Sequence, residues 1–107
     1  MSDAETIPYL HAAPGTAKRV TITGAAGEIG TSMAAHLASR YRLRLVYNRS
    51  VPEIVAPAVA EARTTGKPVA IPGGHEVAVA DVTDLDQVTE VVRGTDAILH
   101  LAAVPSV

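Results

Sequence analysis

Apolar and polar positions change period several times along the chain. In Lys18–Gly24, Val20 and Ile22 alternate with polar neighbours and predict a strand. From Glu28 to Tyr41 the spacing turns helical. Ile29, Met33 and Leu37 fall at i, i+4 and i+8, with Ala34 and Ala38 beside them. Arg42–Asn48 returns to strand character through Leu43, Leu45, Val46 and Tyr47. A second helix is expected from about Pro52 to Arg63, kinked or split by Pro57 and closed by Gly66–Pro68. Glu76–Val82 is a third strand of nearly pure Val/Ala character. Asp84–Gly94 predicts a third helix, with Asp84 and Gln87 as a capping-box-like pair and Gly94 at a left-handed C-terminal cap. Asp96–Val104 reads as a fourth strand.

The predicted order is β-α-β-α-β-α-β with near-continuous apolar strands. That pattern belongs to an α/β fold with a parallel sheet covered on both faces. Residues 1–17 lack a period and are expected to form a flexible leader, with residues 18–107 as the domain. The weakest stretch is Arg63–Glu76, longer than a usual connection.

Composition narrows the picture. A chain of 107 residues suffices for one domain, and with no Phe, no Trp and three Tyr its core must come from Ala, Val, Leu and Ile. A net charge of −2 without a basic block leaves no electrostatic footprint for nucleic acid or an anionic membrane. The absence of cysteine excludes disulfides and thiolate metal sites, and no metal site is expected. The first residues carry acids early, unlike a signal peptide, and no apolar run approaches spanning length, so a cytoplasmic protein is expected.

The chemistry-bearing stretch is Thr21–Gly30, TITGAAGEIG, where a strand hands over to a helix. Gly24 would permit the tight turn, Gly27 a close backbone approach to a ligand, and Gly30 close helix–strand packing. The helix N-terminus, with unpaired N–H groups and a favourable dipole, then suits a pyrophosphate. A P-loop is excluded, because the only Gly-Lys pair, Gly66–Lys67, precedes a proline. An ordinary glycine-rich turn with no ligand is the plain alternative.

Thr23–Gly30 resembles the Thr-Gly-x-x-Gly-x-x-Gly signature of extended short-chain dehydrogenases/reductases, the NAD(P)-dependent epimerase/dehydratase group. Ala80–Asp84 and His100–Ala103 resemble two further motifs of that family, in order, and the likeness spans roughly Lys18 to Val107. It implies a Rossmann-type sheet, strand order 3-2-1-4 for the part present, and a nicotinamide dinucleotide as cofactor. By the resemblance, Gly24, Gly27, Glu28, Ile29 and Gly30 hold the pyrophosphate, mainly through backbone. Asp81 and Val82 meet the adenine, and Leu101, Ala102 and Ala103 lie along the cofactor towards the nicotinamide. The implied activity is hydride transfer with a sugar-like or small alcohol or carbonyl substrate. Each site residue also has a plainer reading. Asp81 could simply open the next helix, His100 is assigned no role as a base, and Arg40, Arg42 and Arg44 read as a solvated rim.

After the second strand, family members that use NAD usually carry an acid about twenty residues past the glycines. Here stand Asn48, Arg49 and Ser50, which would read the adenosine ribose. A guanidinium binds a 2′-phosphate that a carboxylate would repel, so NADP is favoured over NAD. The family's Tyr-x-x-x-Lys pair is missing: Tyr9, Tyr41 and Tyr47 are followed four residues on by Ala13, Leu45 and Val51. The expected entity is therefore the N-terminal half of a cofactor domain, without a catalytic residue of its own. A redox-silent dinucleotide sensor is the alternative. In the implied strand order the fourth strand is interior to the complete sheet, so self-association through its exposed edge is expected.

Overall fold

The computed structural model describes residues 10–101. The elements are β1 (Arg19–Thr23), α1 (Glu28–Leu37), β2 (Arg42–Tyr47), a 3-10 turn (Glu53–Val55), α2 (Ala56–Thr65), β3 (Val69–Ile71), β4 (His75–Val79), α3 (Leu85–Val92) and β5 (Ala97–His100). They form a single sheet in the order β3-β4-β2-β1-β5. β4, β2, β1 and β5 run parallel and give the expected 3-2-1-4 arrangement of a Rossmann-type fold.

β3 is an addition to the expected pattern. It pairs antiparallel with β4, Val69 opposite Val77 and Ile71 opposite His75. Gly73 and Gly74, at φ 89° and 82°, make the turn between them. Three residues between Pro68 and Pro72 carry no readable period, and prolines are tolerated there because the strand lies at the sheet edge. Around Pro57 the expected second helix is split into the 3-10 turn Glu53–Val55 and α2. Pro57 sits in the first turn of α2, after the 3-10 turn, where its missing N–H costs nothing, so it starts the helix instead of kinking it. Gly66, at φ 70°, closes α2 where expected, in a left-handed cap.

α1 and α2 cover one face of the sheet. Ile22, Leu43, Leu45, Tyr47 and Val77 pack there against Ala34, Ala38 and Val59. Of the residues at helical spacing in α1, the small ones are the most deeply buried. Gly30, Ala34 and Ala38 face the sheet, while Met33 and Leu37 are half-buried and Ile29 is 66% exposed. A Cβ on Gly30 would lie 2.1 Å from the Gly24 carbonyl oxygen. The first turn of the helix lies so close to the Gly24–Ala25 backbone that no side chain fits at Gly30.

α3 covers the opposite face through a small cluster of Val46, Ala78, Ala80 and Val91. Polar ties supplement it. Arg44 Nε pairs with Glu76 at 2.6 Å, and its Nη1 donates to the carbonyls of Val91 and Arg93 at 2.8 and 2.7 Å. Thr21 Oγ1 also donates to Val91 O at 3.3 Å. Arg42 Nε donates to Ala17 O at 2.8 Å. Of the three arginines read as a solvated rim, Arg40 is exposed, but Arg42 and Arg44 are bound into the fold. The strand alternation sends them to the face opposite Leu43 and Leu45, where chain ends offer carbonyls.

Leu10–Ala17, the described part of the expected leader, is docked on the sheet. Leu10 joins the core, and Ala13 N donates to Gly73 O at 3.0 Å. His75 fixes this stretch. The amide of Leu43 donates to its Nδ1 at 3.0 Å, so the buried ring is neutral and its Nε2–H donates to His11 O at 2.6 Å. Burial holds the ring's pKa below the usual 6.5, against the opposing pull of the His11 carbonyl. Among the described residues no helix is long and apolar enough to cross a membrane.

Candidate functional site

Because α1 and α2 lie on one face of the sheet and α3 on the other, the connections part at the C-terminal ends of β1 and β5, the usual place for a ligand crevice. A cleft of about 420 Å³ lies at these strand ends. Its lining comprises Gly24, Ala25, Ala26, Gly27, Val46, Tyr47, Asn48, Arg49, Ser50, Ala80, Val82 and Leu101. That volume falls within the roughly 300–1,000 Å³ typical of small-molecule sites. The ends of β1 and β5 are joined by Leu101 N donating to Thr23 Oγ1 at 3.1 Å and a 2.7 Å contact from Thr23 Oγ1 to His100 Nδ1.

The β1–α1 turn is held by its own backbone and one hydroxyl. Gly27 N donates to Gly24 O at 3.1 Å, and Thr31 Oγ1 donates to Ala25 O at 3.1 Å. The three glycines answer to different constraints. Gly24 has φ 71°, a conformation that side chains resist. Gly30 is required by the 2.1 Å overlap a Cβ would create. Gly27 is required by neither. Its φ is −74°, and a Cβ would make only a 3.5 Å contact with Gly24 O. Gly27 is also the N-cap of α1, and no side chain caps that helix. The first amides of a helix have no intrahelical partner, so this start presents donors over a backbone without bulk. Such a start is suited to an anionic group. Glu28 and Ile29 stand exposed in this first turn, and Gly30 is buried beneath it.

The Asn48–Ser50 turn, exposed after β2, forms the opposite rim. Arg63, from the last turn of α2, donates through Nη2 to Asn48 O at 2.6 Å. Asp81 is not part of the lining. Its Oδ1 accepts from Thr83 Oγ1 at 2.7 Å and Thr83 N at 2.9 Å, and its own amide donates to Gln87 Oε1 at 2.8 Å. These bonds tie it to the entry of α3. The Thr83 hydroxyl first, then its amide, hold the exposed Asp81 carboxyl below the ordinary 3.8; the Arg49 guanidinium acts in the same direction. Ala102 and Ala103 lie outside the described residues. Among the described residues no group of three or more His, Cys, Asp or Glu side chains is placed to hold a metal.

The structure thus gathers Gly24, Gly27, Asn48, Arg49, Ser50, Val82 and Leu101 around one cleft. Sequence reasoning omits Ala25, Ala26, Val46, Tyr47 and Ala80. Their signal is positional: the first two lie between the glycines, and the others end parallel strands that point at the crevice. Compared with known proteins, the chain matches the NAD dependent epimerase/dehydratase family over residues 20–107. No curated protein and no solved structure gives a significant match.

Proposed function

The chain belongs to the NAD dependent epimerase/dehydratase family, and from that premise we propose that its cleft binds a nicotinamide dinucleotide, NADP in preference to NAD. The observation that carries this reading is Gly27, a glycine at an uncapped helix start that the fold itself does not require. In this reading Gly24, Gly27, Glu28, Ile29 and Gly30 meet the pyrophosphate mainly through backbone. Asn48, Arg49 and Ser50 meet the adenosine ribose, Asp81 and Val82 the adenine, and Leu101, Ala102 and Ala103 the path towards the nicotinamide. When bound, that group supplies hydride exchange with an alcohol or carbonyl carbon, here of a sugar-like or small substrate of the intact enzyme. The residues of this chain bind and orient it.

Calorimetric titration of NADP and NAD into the wild type and Arg49→Ala tests the proposal. A charge-assisted hydrogen bond contributes roughly 1.5–3 kcal/mol, so NADP should bind about ten- to a hundred-fold tighter at low salt. Arg49→Ala should erase that difference by weakening NADP alone. Equal wild-type affinities would reduce Arg49 to a loop arginine, and binding of neither dinucleotide would overturn the assignment of the cleft.

The missing Tyr-x-x-x-Lys pair favours a second reading, in which the chain binds the dinucleotide without redox chemistry. Positioned proton transfer is worth roughly 10²–10⁴-fold in rate, and no pair here supplies it. This 107-residue chain by itself is expected to oxidise no NADPH above blank with alcohol or carbonyl substrates. A cytoplasmic location accompanies either reading. So does self-association through β5, which pairs only with β1 among the described strands and leaves Ile98 53% exposed. Sedimentation at micromolar concentration checks this, a concentration-independent monomer being the contrary result.

A further inference from the structure

We propose that Arg63, at the end of α2, is a positioning residue that sets which dinucleotide the cleft prefers; this rests on the reading of Arg49 given above. Arg63 is not among the residues that line the cleft. Its Nη2–H donates to the Asn48 carbonyl oxygen at 2.6 Å, the short distance of a charge-assisted hydrogen bond. Donor and acceptor belong to elements of different rigidity. α2 is fastened to the sheet by buried Val59 and Ala62 and ends sharply at Gly66. Asn48, Arg49 and Ser50 form an exposed turn after β2.

A trans peptide directs its N–H opposite to its C=O, and there is no cis bond among the described residues. Drawing the Asn48 oxygen towards Arg63 therefore turns the Arg49 amide to the other side and fixes the backbone from which the Arg49 side chain springs. The same contact anchors the residue that directly precedes Arg49. Arg63 thus acts on the NADP/NAD choice through the setting of Arg49, without touching the ligand.

The test is calorimetric titration of NADP and NAD into the wild type, Arg63→Met, Arg63→Lys, Arg49→Ala and the Arg49→Ala/Arg63→Met double variant. Amide spectra of Arg49 and Ser50 are recorded without ligand. Arg63→Met should weaken NADP about ten-fold and NAD by less than about two-fold, the low end of one charge-assisted hydrogen bond. Arg63→Lys, which keeps charge and one donor, should recover part of the loss even if the methionine variant folds poorly. The double variant should bind NADP no more weakly than Arg49→Ala, because Arg63 acts through Arg49. The Arg49 and Ser50 amides should shift in Arg63→Met. If Arg63→Met and Arg63→Lys leave the NADP/NAD ratio unchanged while Arg49→Ala erases it, this inference is overturned and the role of Arg49 stands. If Arg49→Ala leaves the ratio intact, both are overturned.

Discussion

α1 and α3 both begin where a parallel strand of the same sheet ends, and their first amides are served differently. At α3 the chain closes the helix with its own side chains. Asp84 Oδ1 accepts from the amides of Asp86 and Gln87 at 3.0 and 3.2 Å, and Gln87 Nε2 donates to Asp84 Oδ2 at 3.1 Å. The Gln87 carbonyl then reaches past the N-cap to the Asp81 amide at 2.8 Å, in place of the N-cap amide of a true capping box. At α1 the N-cap is Gly27, without a side chain. The two starts share a sheet and differ in their caps. A side chain serves the first amides of α3 and none serves those of α1, a difference worth only a few tenths of a kcal/mol between Asp and Gly.

The largest effect that sharpens this comparison is expected at Gly30. Its Cβ would meet backbone at 2.1 Å, so Gly30→Ala must displace α1 from β1. Such overpacking costs typically 1–3 kcal/mol, and a contact with backbone rather than a flexible side chain puts this variant near about 3. Urea unfolding reads it directly. Wild-type stability would mean that α1 can slide, and that the steric distinction between Gly30 and Gly27 is false.

Gly30 also shows what the sequence can carry. The glycine spacing, the strand alternation and the Asp84 cap are local signals, and they identify β1, α1, α3 and the position of the cleft. The buried row of α1 is not local. Ile29, Met33 and Leu37 are the larger apolar residues, yet Gly30, Ala34 and Ala38 are the more deeply buried, and at Gly30 the Gly24–Ala25 backbone leaves no room for a side chain. β3 exists only through its pairing with β4, and three residues between prolines predict nothing alone. Arg44 and Arg63 look like ordinary surface arginines until the fold brings remote carbonyls to them. Asp81 is legible as a residue near the crevice, but its hydrogen bonds run to Thr83 and Gln87, an arrangement that requires the α3 entry to be in place.

A smaller effect is expected at the other start. Asp84→Ala removes a side-chain cap and should cost about 1 kcal/mol by chemical denaturation. NADP affinity should stay within about two-fold of wild type in the same variant, since a cap contributes locally and Asp84 is no part of the cleft lining. A large loss of affinity would mean that the two helix starts are not separate devices.

Acid should distinguish the starts more finely still. The Asp81 carboxyl is held below 3.8 chiefly by Thr83. A depressed carboxylate keeps its partners as pH falls past the ordinary value, and loses them only as pH falls through its own lower value. In an NMR titration the Thr83 amide should therefore shift with a midpoint below 3.8. The Gly27 amide, bonded to a carbonyl, should show no such titration. A Thr83 midpoint at or above 3.8 would remove Asp81 from the α3 entry.

The most direct measurement is Gly27→Asp, which gives α1 the kind of cap that α3 already has. The N-cap backbone, φ −74° and ψ 167°, accepts aspartate without strain, and its Cβ meets nothing closer than 3.5 Å. Unfolding free energy should stay within about 0.5 kcal/mol of wild type or rise slightly. Calorimetric affinity for NADP and NAD alike should fall by about a hundred-fold or more, because a carboxylate now takes the amides and repels the pyrophosphate. A stable Gly27→Asp protein that still binds both dinucleotides at wild-type affinity would contradict the account.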